Sequence, residues 1–220
     1  MMKPDKIIRS NRKTLSVSVT ALGELIVRAP MRLSEERIFA FLTEKQAWIL
    51  RQKSKTAGAG SRLPTDNLDG FRFLLLGDEY TVRLYDGARI VCRAEEKALF
   101  LPKTNSKERL VKWLKDNARR ILTELTESYS VRLNVPYRSI AITSAKSRWG
   151  SCSGENAIRF TFRLIYAPKA VVEYVVVHEL CHVFEKNHSS AFWALVARSI
   201  PDWKTRRKWL KDNRFVMEIF

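Results

Sequence analysis

The 220-residue sequence has few cysteines, few histidines and no long apolar run. Its cysteines, Cys92, Cys152 and Cys181, are odd in number and widely spaced, which argues against a disulfide framework. The most apolar stretch, residues 171–177, contains Glu173 and is far shorter than the roughly 20 residues that a membrane span needs. The charged N-terminus does not have the pattern of a secretory signal. We therefore expect a cytoplasmic protein with reduced thiols.

Acidic residues are also scarce relative to basic ones. The sequence has 23 Asp and Glu against 40 Lys and Arg, a formal net charge of +17. A basic surface attracts polyanions, but these residues are scattered and accompany no recognisable nucleic-acid-binding module. The charge indicates a solvated basic surface, with weak nucleic-acid or nucleotide binding as the alternative interpretation.

All three histidines of the sequence lie close together. His178, His182 and His188 fall within eleven residues, and Glu179 follows the first of them. Imidazole is the commonest metal-binding side chain, and HExxH followed by a third histidine is typical of zinc-dependent hydrolases. The alternative, in which two histidines pack in a core and Glu179 is a surface carboxylate, does not explain the third histidine. The pattern therefore favours a metal site.

The spacing of this motif suits a helix. His178 and His182 would lie about 40° apart around the helix axis and about 6 Å apart along it. Both imidazoles can then reach one tetrahedral ion at roughly 2.0–2.1 Å. Glu179 would point about 100° away from His178, which suits a general base acting on a metal-bound water. Cys181 is a possible competing ligand, although a buried, unreactive thiol is the favoured interpretation.

His188 requires the helix to end before it. In an unbroken helix it would lie about 15 Å beyond His178, so the sequence predicts a stop at Lys186-Asn187, because asparagine tolerates the left-handed conformation. Ser189 or Ser190 can then cap a second helix. Three protein ligands would leave the fourth position open to water, as in catalytic zinc sites.

Apolar periodicity along the chain predicts a mixed architecture. Predicted strands lie within residues 6–30 and at 71–76, 79–84, 89–93, 97–101, 139–144 and 157–165, and predicted helices at 34–55, 105–129, 168–186, 190–199 and 202–212. Turn residues lie at 21–24, and a Gly-rich linker at 56–61. A β-rich first half followed by a helix-led second half predicts an α+β protein, divided into regions 1–103 and 104–220.

The predicted strand at 157–165 bears on substrate binding. Ile158, Phe160, Phe162 and Leu164 would form its apolar face. If it is a sheet edge beside the metal helix, an extended peptide could add to it through main-chain hydrogen bonds. An ordinary half-buried strand is an equally good interpretation.

Three motifs carry a family resemblance. They are Arg148-Trp149-Gly150-Ser151-Cys152, His178-Glu179-Leu180-Cys181-His182 and Asn187-His188-Ser189. Together they resemble the YgjP-like metallopeptidases, zincin-type proteins related to the SprT-like proteases. The resemblance implies a zincin-like metallopeptidase domain over 104–220. It also implies a zinc ion at the three histidines, with the glutamate catalytic.

The first motif has several possible roles. A close turn at Trp149-Gly150 that packs against the active-site helix is the first interpretation. Arg148 could instead bind substrate by stabilising developing negative charge. Cys152 is disfavoured as a nucleophile because no histidine remains free to activate it.

The predicted function is zinc-dependent hydrolysis of peptide bonds, with a peptide or protein as substrate. One alternative is hydrolysis of a phosphoanhydride, for instance in a nucleotide, at the same metal centre. Another is a DNA-associated protease of the SprT type, which the relation suggests. A purely structural zinc site is disfavoured because it needs a fourth ligand.

Overall fold

The computed structural model describes residues 3–20, 23–58 and 67–218. Within these residues the protein is α+β, with ten strands in three sheets and six α-helices. Backbone contacts divide the chain into two compact units, residues 1–64 with 218–220, and residues 65–217. This division lies earlier in the chain than the predicted boundary after residue 103. No helix within the described ranges is both long and apolar enough to cross a bilayer.

The N-terminal unit is a small sheet covered by helices. Its elements are β1 (Lys6–Ser10), β2 (Ser16–Val19), β3 (Leu25–Pro30), α1 (Glu35–Glu44) and α2 (Gln46–Gly58). The central strand β3 runs parallel to β1 and antiparallel to β2. Alternate residues of β3 (Leu25, Val27 and Ala29) and apolar residues of the helices (Ile38, Leu42 and Ile49) are almost completely buried. The alternate apolar residues of this strand therefore form the core of the unit together with those of the helices.

One prediction in this unit is corrected, and two others fall partly outside the described residues. The single helix predicted over 34–55 is interrupted at Lys45, where neither proline nor glycine signals a break. Ser34 caps α1 as predicted, its hydroxyl accepting from the Arg37 amide. Residues 56–58 of the predicted linker belong to α2, and 59–61 lie outside the described residues. Of the turn at 21–24, residues 21 and 22 also lie outside them, while Gly23 has a φ of 77°.

A four-stranded sheet begins the second unit. It comprises β4 (Arg72–Leu75), β5 (Asp78–Tyr85), β6 (Val91–Arg93) and β7 (Ala98–Pro102), in the order β4-β5-β7-β6. Gly77, in the turn between β4 and β5, has a φ of 92°, and a Cβ there would lie 3.0 Å from Cα of Pro168. The amide of Leu76 donates to the carbonyl of Ile165 at 2.6 Å. This turn therefore packs closely against the segment that contains Ile165 and Pro168 and that precedes the apolar run 171–177.

The remaining elements include one apolar helix, which packs against several of the others. They are α3 (Ser106–Leu133), β8 (Ser139–Thr143), β9 (Gly150–Cys152), β10 (Ala157–Thr161), α4 (Lys169–Cys181), α5 (Ser190–Ser199) and α6 (Trp203–Asp212). Helix α4 contacts α3, β9, α5 and α6. From Val171 on, buried residues lie on every side of the helix, which explains why the run 171–177 is apolar except for Glu173 rather than amphipathic.

The strand predicted over residues 157–165 is shorter than expected, and of its two interpretations the sheet edge is wrong while the ordinary half-buried strand is not contradicted. The strand β10 ends at Thr161, and Phe162–Tyr166 forms a buried 3₁₀ segment. In addition, β10 is the central strand of its sheet, parallel to β8 and antiparallel to β9, so it has no free edge for a peptide. Alternation could not reveal this, because all five residues of the 3₁₀ segment are buried, including Arg163.

Candidate metal centre

The end of α4 carries the first two histidines. His178 and Glu179 lie in its last turn, and His182 is the C-cap residue. The helix therefore ends before the predicted stop at residues 186–187, and Asn187 does not have a positive φ. The amide of Glu185 donates to the carbonyl of Cys181 at 3.0 Å, which turns the chain back toward the helix.

This reversal brings the third histidine to the other two. The ligand nitrogens of His178, His182 and His188 all lie within 4.8 Å of one another. The Nε2 atoms of His178 and His188 are 3.1 Å apart. Two ligands of one tetrahedral zinc ion at 2.0–2.1 Å would lie roughly 3.3 Å apart. The three side chains could therefore hold a single ion, and the buried Cys181 is not part of this group.

Helix α5 supplies an aromatic wall to the cluster. Ser189 caps α5 as predicted, its Oγ accepting from the Phe192 amide at 3.2 Å. Phe192 stacks on His182 with ring centroids 4.4 Å apart, and Trp193 stacks on His188 at 5.5 Å. The sequence analysis assigned these aromatic residues no role. Their position four and five residues after His188 could have indicated that they pack against the histidines.

The surroundings of the three histidines favour neutral imidazoles. Burial, with the neighbouring His182 and His188, lowers the pKa of His178 to about 3. Burial and His182 also lower the pKa of His188. Nδ1 of His182 lies 2.8 Å from the carbonyl oxygen of Glu185, which leaves Nε2 for a ligand bond. Neutral imidazole is the form that binds metals.

Glu179 is held in a tight, buried position. Its side chain is only 5% exposed, and burial raises its pKa to about 8, while Arg148 acts in the opposite direction. A Cβ at Gly150 would lie 2.6 Å from Oε1 of Glu179. The predicted packing of Trp149-Gly150 thus occurs at this carboxyl group, but Gly150 begins the strand β9 rather than forming a close turn.

The segment between the second and third histidines is tied to the β9–β10 hairpin. Nζ of Lys186 donates to the carbonyl of Ser153 at 3.1 Å and to Oδ1 of Asn156 at 2.5 Å. It also lies 4.0 Å from Sγ of Cys152. Burial raises the pKa of the Cys152 thiol, although Lys186 opposes this, which argues against a nucleophilic thiolate. Sequence reasoning missed Lys186 because its partners are about 30 residues away.

Comparisons with known proteins identify the family of the chain. A family model described as "YgjP-like, metallopeptidase domain" matches residues 13–213. The crystal structure of the metallopeptidase zymogen abylysin from Pyrococcus abyssi is similar to this chain at 20% identity and a TM-score of 0.39, covering 42% of this chain and 95% of abylysin. No curated protein matches the sequence. Because the family model spans nearly the whole sequence, the chain belongs to the YgjP-like metallopeptidase family.

Proposed function

We propose that the protein is a zinc-dependent peptidase in which His178, His182 and His188 bind one zinc ion and Glu179 is the general base. Family membership supports a metal-dependent hydrolase. The observation that carries the proposal is the convergence of three imidazole nitrogens within 4.8 Å. Three nitrogen ligands with an open fourth position are typical of catalytic zinc.

The reaction follows from the groups around this position. When bound, a divalent metal supplies a Lewis acid that polarises the peptide carbonyl, acidifies a water and favours the ionised form of a nearby carboxyl group. Glu179 accepts the proton of the attacking water and transfers it to the leaving amine. Arg148, whose charge already acts on Glu179, stabilises the negative charge that develops on the carbonyl oxygen.

The strand β9 supports a peptide substrate. It pairs only with β10 among the described strands, so no described strand occupies its outer edge. Its first residue, Gly150, contacts the Glu179 carboxyl group. An extended peptide that adds to this edge would form main-chain hydrogen bonds and would run beside the proposed base. This edge takes the role that the sequence suggested for residues 157–165.

The decisive experiment uses Glu179→Gln in the full-length, zinc-loaded protein. Peptide pools and nucleoside triphosphates are assayed in parallel, because the net charge of +17 is the observation that favours a phosphoanhydride substrate. We expect peptide cleavage to fall by at least about 100-fold in the variant, the usual contribution of a general base, with zinc content unchanged by elemental analysis. Full cleavage by the variant would refute the role of Glu179, and hydrolysis of nucleotides alone would refute the peptidase.

A second variant tests the ligand set. His188→Ala removes one of the three nitrogens, so we expect zinc to be lost on dialysis against a chelator that the unmodified protein resists. Ser190→Ala, two residues further on and exposed, is the matched control and should retain its metal. Equal zinc content in the two variants would remove His188 from the ligands.

A further inference from the structure

Helix α6 brings an arginine to the edge of the histidine cluster. Arg207 is exposed, and its Cζ lies 5.0 Å from the centroid of the Trp193 ring. Trp193 in turn stacks on His188. Trp193 also contacts His178, with ring centroids 5.9 Å apart, so Arg207 lies over a ring that touches two of the three histidines.

Neighbouring arginines on α6 differ in their partners. Nε of Arg206 lies 2.9 Å from the Asp202 carboxylate, and its NH1 donates to the carbonyl of Ala170 at 2.7 Å. By contrast, no carboxylate in the described part of the chain pairs with Arg207. Its guanidinium is instead restrained over an indole face, an arrangement that holds a cation without neutralising it.

An unneutralised cation beside a cation-binding cluster is electrostatically unfavourable. An anionic group of the substrate, bound at Arg207, would remove this repulsion when the site is used. Guanidinium is suited to such a group because its planar fork binds a carboxylate through two parallel hydrogen bonds.

We infer that Arg207 binds a carboxylate of the peptide substrate, on the side of the cluster formed by His188 and Trp193. The inference rests on the proposed peptidase function and adds to it a preference for peptides that present a carboxylate at this position. The carboxylate is either the C-terminal carboxylate or that of an Asp or Glu side chain. The experiment below distinguishes the two sources.

The same helix offers a matched control. Nζ of Lys204 lies 5.7 Å from the centroid of the Trp203 ring, and Trp203 stacks on Trp193 with centroids 4.1 Å apart. Lys204→Gln therefore removes one positive charge and one cation–aromatic contact from α6, as Arg207→Gln does. Lys204 lies over Trp203, whereas Arg207 lies over Trp193, the ring that stacks on His188.

The test measures binding rather than turnover, in zinc-loaded protein that carries Glu179→Gln. Three pools of fluorescent hexapeptides are titrated by anisotropy: one with a free C-terminal carboxylate, one amidated, and one amidated but containing a single glutamate. With Arg207 present, we expect at least one carboxylate pool to bind about tenfold more tightly than the uncharged amide pool, the usual effect of a hydrogen-bonded ion pair. The pool that gains identifies the source of the carboxylate.

The variants then assign the preference. Arg207→Gln should abolish it, Arg207→Lys should retain part of it, and Lys204→Gln should leave it unchanged. Equal preference with and without Arg207 would overturn the inference. So would equal losses in the Arg207→Gln and Lys204→Gln variants, or the absence of measurable binding by all three pools.

Failure of the peptidase proposal gives a different result. It would appear as absence of peptide cleavage by the zinc-loaded protein with Glu179 intact. A carboxylate preference that depends on Arg207 would still support the binding site in that case. Thermal melting of each variant, followed by circular dichroism, confirms that the compared proteins are folded.

Discussion

Replacing Gly150 by alanine tests whether the position of the Glu179 carboxyl group controls activity. The added Cβ would lie 2.6 Å from Oε1, 2.8 Å from Cγ and 2.9 Å from Cδ of Glu179. Ordinary contact begins at about 3.4 Å, so the carboxyl group must shift by about 0.8 Å. Because all three of these atoms lie too close, rotation of the carboxyl group alone does not relieve the overlap.

A shift of this size should reduce catalysis in a protein that still folds. A displacement of about 1 Å in a reacting group can cost about 100-fold in rate, so we expect kcat to fall by roughly 10- to 100-fold. The free energy of unfolding should fall by about 1–3 kcal/mol, the usual cost of overpacking. Zinc content should not change, because Gly150 is not a ligand.

The assay compares cleavage of a quenched fluorescent peptide pool by Gly150→Ala and by Gly154→Ala. Gly154 lies in the same hairpin, and a Cβ there meets nothing within 4 Å, so this control should retain activity. Zinc content is measured by elemental analysis and stability by chemical denaturation. A folded, zinc-loaded Gly150→Ala protein with unchanged kcat would refute the argument that β9 positions Glu179.

Two further predictions concern the surroundings of the site. Lys186→Met removes the hydrogen bonds to Ser153 and Asn156 in the β9–β10 hairpin. We expect zinc affinity, measured by competition with a chelator, to fall about tenfold, as when groups that support the ligands are lost. An unchanged affinity would show that these bonds do not position His188. Gly77→Ala places a Cβ at a φ of 92° and 3.0 Å from Cα of Pro168, so the free energy of unfolding should fall by about 1–3 kcal/mol. An unchanged denaturation midpoint would contradict the close packing of this turn.

Much of the fold could be predicted because its signals are local. The cap at Ser189, the turn at Gly77 and the alternation in β3 each depend on residues close together in sequence. The end of α4 was placed too late, because asparagine is a weak stop signal and the helix ends instead at His182. The strand β9 was missed because it has only three residues and contains a glycine.

For the candidate site, too, some relations follow from the sequence alone and others only from the tertiary structure. The imidazoles of His178 and His182 share one face because of helix geometry, and a link of five residues, 183–187, limits how far His188 can lie from them. The sequence alone therefore determined which residues could meet at a metal, and on which helix. These relations need nothing beyond the backbone rules of a helix and a turn.

Only the tertiary structure decided what surrounds those residues. Gly150 contacts Glu179 because β9 packs on α4, and Arg207 reaches Trp193 because α6 lies beside α4 and α5. These pairs join segments that are 14 to 29 residues apart, and no local periodicity relates them. Their contacts depend on which buried faces pack together, so they become visible only in the folded chain.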